Sequence, residues 1–281
     1  MSYRSLLVHL DQGPLAGARS EAAIGLARDL DCHLVGVAPT GLVYLPAFPD
    51  AAMPVLEYAE LAMQALRDAA GQATQRFRDA CSAARLASFE AVVDEAEPAA
   101  SVVRHAQCSD LAVLTQADPG ARDYRAAQAL VEQVVLHSAR PTLVLPYAGR
   151  IGRIGSTVLA AWDDSREAAR AMSDALPLLR RAGKVHVVRW NESRDDDSDD
   201  ALRARLEPVR RWLQWHGVAA EMHVEAGEIG VGDAMLSRAS DLGADLIVMG
   251  AYGHARWAER MLGGATRGLL ASMTVPVLMS H

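Results

Sequence analysis

Cysteine is scarce in this chain. There are three, Cys32, Cys81 and Cys108, far apart and without a Cys-x-x-Cys spacing. That argues against a disulfide framework or a cysteine zinc site, and leaves buried free thiols as the expectation. Positive charge is also short: 28 Lys and Arg against 35 Asp and Glu give a net charge of −7, which argues against a general nucleic-acid surface. No apolar run approaches the roughly 18 residues of a membrane span. The start, Met1-Ser-Tyr-Arg-Ser, runs straight into a strand-like segment without the apolar core of a signal peptide, so the cytoplasm is the expected compartment. A Gly-x-Ser-x-Gly elbow, a Walker phosphate loop and the serine–glycine loop of ATP pyrophosphatases are all missing, which weakens the case for an enzyme that turns ATP over.

What is present is a globular composition, 51% apolar over 281 residues, enough for two cores. Short apolar runs alternate with segments of helical periodicity. Strands are predicted at 5–10, 33–38, 88–93, 111–115 and 142–145, and helices at 16–30, 55–84, 98–107 and 124–138. Pro98 opens a helix where a missing N–H costs little. Residues 39–54 hold four prolines with Leu42, Val43, Tyr44, Leu45 and Phe48, a loop greasy enough to fold on the core, cover a dimer face or border an apolar ligand. Three glycines and two arginines in 148–156 read as a linker. The pattern then restarts, with strands at 157–162, 184–190, 221–225, 246–249 and 277–280. Helices are predicted at 165–181, capped by Ser165, at 201–216 and at 232–242, with a further helical run ending at Ser272.

The order is therefore an internal repeat, with domains expected at 1–147 and 155–281. Asp110-Leu-Ala-Val-Leu-Thr115 lines up with Asp245-Leu-Ile-Val-Met-Gly250 at an offset of 135, and Pro141 then falls on Pro276. Strands separated by helices call for parallel sheets with right-handed crossovers. In such a sheet a ligand sits beyond the carboxyl ends of the strands, where strand order reverses. In the second half that brings Ala161-Trp162-Asp163 towards Met249-Gly250.

Gly250, Gly253, Gly263 and Gly264 punctuate the segment that follows. Glycine lets backbone N–H groups approach a phosphate, and the next helix adds unpaired N–H groups and a partial positive charge. Asp163 offers an acceptor to a ribose or base, or else caps the turn into the next helix. His254, Arg256, Arg260 and Arg267 surround the loop, and one of the four is expected to meet a ligand. The acidic cluster 195–200 lacks the glycine and glutamate of a calcium loop and reads as solvated. His216 and His223 show no metal-ligand spacing within one element, so no metal site is expected. Trp212 and Trp215 read as core-edge packing, and Met235, Met249, Met261, Met273 and Met279 as core filler.

Gly250-x2-Gly253-x9-Gly263, a following helix and Pro276-Val277-Leu278 together resemble the universal stress protein (UspA-type) family, over Thr157 to His281. One departure is clear: after Gly263 come Gly264 and Ala265, and the hydroxyl residue is delayed to Thr266. The resemblance implies an α/β fold of two tandem, open five-stranded parallel sheets, order 3-2-1-4-5, helices on both faces, of the adenine-nucleotide alpha-hydrolase-like type. It implies ATP as ligand, with Mg2+ or Mn2+ as optional companion, and weak or absent turnover. The site residues it implies are Ala161, Trp162, Asp163, Val188, Met249, Gly250, Gly253, His254, Gly263, Gly264, Ala265 and Thr266. It also implies pairing through the last strands, as an intrachain pseudo-dimer with a homodimer as a further option. In the first half Thr115, Asp118, Gln128 and Ala129 stand where the glycines should, each adding a Cβ, and Asp118 a repelling charge; that half is expected not to bind nucleotide this way. The function read from the sequence is an adenine-nucleotide-binding regulator of the stress response. The alternatives are a ligand-free interaction module of the same fold and a very slow ATPase.

Overall fold

The computed structural model describes residues 2–41, 55–149, 151–192, 198–227, 230–252 and 264–281. The apolar stretch 42–54, the acidic residues 195–197, Met261 and the loop residues Gly253, His254, Arg256, Arg260 and Gly263 lie outside these.

The chain forms two compact units, one of Tyr3–Ser138 and one made mainly of Ala139–His281. The first holds β1 (Ser5–His9), α1 (Ala16–Leu30), β2 (His33–Pro39), α2 (Val55–Ala83), β3 (Phe89–Asp94), α3 (Pro98–Ala106), β4 (Leu111–Thr115) and α4 (Tyr124–His137). Its strands are parallel, in the order β3-β2-β1-β4. Leu6, Leu7 and Val8 are all fully buried, as expected for a strand covered on both faces, which reads as an unbroken apolar run. Pro98 is at the first turn of α3, and the Glu97 carboxylate caps it by accepting from the N–H groups of Ala99 and Ala100.

The second unit holds β5 (Thr142–Leu145), β6 (Thr157–Ala161), α5 (Arg166–Asp174), α6 (Leu176–Leu179), β7 (Lys184–Glu192), α7 (Asp199–Trp215), β8 (Glu221–Gly227), α8 (Val231–Leu242), β9 (Leu246–Gly250), α9 (Gly264–Ser272) and β10 (Val277–Ser280). The second repeat's own strands run β8-β7-β6-β9-β10, all parallel, which is the 3-2-1-4-5 order. β5, last strand of the first repeat, joins this unit antiparallel to β10, with Leu143 opposite Leu278.

Four expectations need correction. The helix predicted over 165–181 is two, α5 and α6, because Pro177 at the start of α6 has no N–H to continue the ladder. Helix α7 begins at Asp199, inside the acidic cluster, because Ser198 accepts from the Ala201 N–H and the two aspartates suit the positive end of the helix. Cys32 and Cys81 are buried, and burial lifts each thiol to a pKa of about 11, but Cys108 is exposed. Trp215 is 75% exposed rather than packed at the core edge.

One device recurs in both units and explains the sequence repeat. Asp110, just before β4, accepts from the N–H groups of Arg4 and Ser5 at 2.7 and 3.0 Å, which pins the start of β1. Asp245, just before β9, accepts from Gly155, Ser156 and Thr157 at 2.9, 3.0 and 3.1 Å, which pins the start of β6. A carboxylate taking two or three backbone N–H groups makes strong, charge-assisted bonds and fixes the register of adjacent parallel strands. None of the described helices is long and apolar enough to cross a membrane.

Candidate functional site

Strand order in the second repeat reverses between β6 and β9: the chain runs outward from β6 to β8, then returns to β9 on the other side. β6 and β9 are paired up to Ala160 opposite Val248, so Ala161 and Met249 come one step later, side by side at the carboxyl ends. Trp162 follows, its N–H donating to the Val188 carbonyl of β7 at 2.9 Å. Ala161, Val188 and Met249 are buried and form the floor; Trp162 and Gly250 are half-buried and Asp163 is exposed.

Asp163 makes a tight local turn. Its Oδ1 accepts from the Ser165 N–H at 3.0 Å and from the Ser165 hydroxyl. The same hydroxyl oxygen accepts from the Ala168 N–H at 3.1 Å and so caps α5. Asp164, in the left-handed region at φ 61°, was not singled out in the sequence, yet it organises the rim. It accepts from Trp162 Nε1 at 2.8 Å and from the buried Arg189 guanidinium at 2.7 Å. Only the Asp163-Asp164 doublet hinted at this division of labour.

Gly250 is required by a close approach. A Cβ built there would lie 2.6 Å from the backbone of Glu167 and Ala168, so the first turn of α5 presses directly on β9. Glu167 itself is buried beside it. Burial pushes its carboxyl pKa up, but the Arg166 hydrogen bond and charge, with His281 nearby, outweigh this and leave it low. His281 also reaches the crevice end of β9, its Nδ1 3.0 Å from the Ala251 carbonyl oxygen. Neither residue carried a signal in the sequence, because one lies in a helix and the other at the far end of the chain.

The two ends of the glycine segment meet. The Tyr252 N–H donates to Thr266 Oγ1 at 3.4 Å, and Thr266 is buried. Tyr252 lies just beyond β9, and Thr266 is in the first turn of α9, which begins at Gly264 with Ala265 next. The N-terminus of a helix thus faces the same strand end as Gly250.

The equivalent place in the first unit is filled by a side chain. Asp11 makes the same turn as Asp163, its Oδ1 accepting from the Gly13 N–H at 2.8 Å. Its second oxygen lies 2.8 Å from Arg19, whose side chain is 4% exposed. The Arg19 guanidinium also donates to the His9 carbonyl at 2.7 Å and to Thr115 Oγ1 at 3.0 Å. Thr115 stands where the second repeat has Gly250, and its hydroxyl is consumed by that arginine. Asp118, the counterpart of Gly253, accepts from the Gly120 N–H at 2.8 Å within its own turn.

Comparison with known proteins follows the same division. Residues 156–281 match the sequence profile described as the Universal stress protein family. No curated protein sequence matches the chain significantly. Among solved structures, a universal stress protein from Archaeoglobus fulgidus DSM 4304 has a TM-score of 0.73 at 18% identity, covering 98% of this chain and 95% of its own. A functionally unknown protein from Pseudomonas aeruginosa PAO1 has a TM-score of 0.61 at 15% identity, covering 99% and 92%. At such identities the likeness is one of fold, and it extends over both repeats. The match to the Universal stress protein family is thus carried by the second half, residues 156–281.

Proposed function

We propose that the second half binds an adenine nucleotide, ATP foremost, and that the protein acts through that binding as a regulator in the stress response. The observation that carries this reading is the meeting of Tyr252 and Thr266 at 3.4 Å. It ties both ends of the glycine segment to the carboxyl end of β9, at the reversal of strand order, with a helix N-terminus beside it. Backbone N–H groups of Gly253, Gly263, Gly264 and Ala265 would take the phosphates. The Asp163 carboxylate would accept from ribose or base, against a floor of Ala161, Trp162, Val188 and Met249. Buried Glu167 adds negative charge near Gly250, which favours a nucleotide that arrives with Mg2+ or Mn2+ on its phosphates over a bare polyanion. A regulatory role further requires that the nucleotide bind two conformations with different affinity.

A second reading, a ligand-free interaction module, is favoured by two facts already described. Asp163 has a structural task in capping its turn, and Gly250 is demanded by α5 whether or not phosphate comes near. The two readings separate cleanly. The purified protein is denatured and its supernatant chromatographed for adenine nucleotide, and the refolded or nucleotide-free protein is titrated with ATP and magnesium by calorimetry. Saturable binding, lost when Gly253 and Gly263 are both changed to leucine, is the expected result. No released nucleotide and no heat of binding would sink the nucleotide reading in favour of the module. Phosphate release that scales with protein and vanishes in the double variant would instead make this a slow ATPase.

A further inference from the structure

β7 and β8 pair in parallel with His186 opposite Glu221 and Val188 opposite His223. Residues two apart on a strand share a face, so Glu221 and His223 point the same way, and the pairing brings His186 to that face. Their ligand atoms converge. His186 Nδ1 lies 3.1 Å from His223 Nε2 and 3.4 Å from Glu221 Oε2, and His223 Nε2 is 3.9 Å from the same oxygen. An ion held at about 2.0–2.1 Å by ligands in a tetrahedral arrangement spaces those ligands roughly 3.3–3.4 Å apart. The three observed separations bracket that spacing.

The surroundings suit such an ion. His186 is buried, His223 is half-buried and Glu221 is exposed, so one arm is held rigidly while the carboxylate side stays open for entry. Two imidazoles and one carboxylate match borderline-soft divalent ions better than calcium or magnesium. Arg238 of α8 is the nearby cation, and it is engaged with Glu225 Oε1 at 3.0 Å. A simple histidine–histidine hydrogen bond accounts for the 3.1 Å contact but not for a carboxylate oxygen within reach of both rings.

We infer that His186, Glu221 and His223 form a site for one divalent transition-metal ion of the zinc class, with water completing its coordination. Such an ion clips the outer strand β8 to β7. The site is independent of the nucleotide reading, because it uses side chains on two other strands. The test uses full-length protein treated with chelator and freed of nucleotide. Titration with zinc chloride should show one equivalent bound, and cobalt(II) should give the visible absorption of a tetrahedral site. His223→Ala and Glu221→Gln should each weaken binding at least about tenfold, as expected for loss of a direct ligand. Zinc should raise the melting temperature of the parent protein but not of H223A. His216→Gln, a histidine outside the cluster, should bind zinc like the parent. Absence of one-to-one binding, or affinity in H223A and E221Q equal to the parent's, would overturn the assignment.

Discussion

Each half of the chain ends its first strand on an aspartate that folds back onto the N–H two residues later, Asp11 onto Gly13 and Asp163 onto Ser165. Each pins the start of that strand with a second aspartate, Asp110 or Asp245. The halves part company at the end of the fourth strand. In the first, Thr115 holds the guanidinium of Arg19; in the second, Gly250 lies under the backbone of α5. The shared features are those that build the sheet, and the differing one lies at the carboxyl ends of the strands. A duplicated fold can thus keep its scaffold while a buried arginine, paired with a half-buried aspartate, occupies one strand end.

The largest expected effect tests that ion pair. Arg19→Met leaves Asp11 and the Thr115 hydroxyl without their partner, and breaking a buried pair from one side costs about 3–5 kcal/mol. Asp11 keeps 37% of its side-chain surface, so the lower end of that range applies. Chemical denaturation of the variant should show a loss of about 3 kcal/mol in the first unit, and adding Asp11→Asn should recover part of it. A loss below about 1 kcal/mol would mean that Arg19 is ornament rather than plug.

The next effect is a pH dependence larger in the first half than in the second. His9 stands where the second repeat has Ala161. Its burial, followed by the Arg19 charge, pushes its pKa from 6.5 down to about 4, with Asp11 pulling the other way. Between those values the unfolded chain binds the extra proton and the folded one does not. Stability is therefore complete above about pH 6.5 and is lost as pH falls towards 4, on the order of 3 kcal/mol. Asp11 acts in the same direction at lower pH. Burial raises its pKa, but Arg19, His9 and the Gly13 N–H outweigh that and leave it depressed, so its contribution disappears as pH falls through the folded value. Hydrogen exchange, corrected for the intrinsic rate, should show β1 amides losing more protection than β6 amides from pH 7 to pH 5. His9→Gln should flatten the difference.

The smallest effect comes from making the second half like the first. Gly250→Thr drives a Cβ into the backbone of Glu167 and Ala168, at a cost of about 1–3 kcal/mol as α5 shifts. Thermal melting reads the destabilisation, and calorimetry with ATP reads the accompanying loss of affinity. Unchanged melting would show that α5 can move aside freely and that the glycine belongs to the ligand alone.

Most of the fold was legible because parallel strands buried on both faces announce themselves as short apolar runs, such as Leu6-Leu7-Val8 and Leu246-Ile247-Val248. Helix ends were legible where a side chain caps them, as at Ser165. The break at Pro177 was visible in principle, since a proline inside a helical pattern signals an end, but the apolar periodicity around it masked the signal. Arg19 was not legible: its partners Asp11, His9 and Thr115 are 8, 10 and 96 residues away, and an arginine in a helix reads as solvated until the strand ends are placed. The His186–Glu221–His223 cluster was hidden for a related reason. No spacing within one element joins His186 to His223, and only the parallel register of β7 and β8 does. Gly250 was picked for a phosphate approach, and the sequence gave no sign that the first turn of α5 claims the space beside it.

Trp162 and Trp215 sit in different environments. The first is half-buried, its ring nitrogen held by Asp164 at 2.8 Å beside the crevice, and the second is 75% exposed at the end of α7. Iodide in the buffer will therefore dim the outer indole first. With Trp215 replaced by phenylalanine, a larger share of the protein's ultraviolet emission comes from a fluorophore at the mouth of the crevice, so the arrival of a small molecule there can be followed without any label.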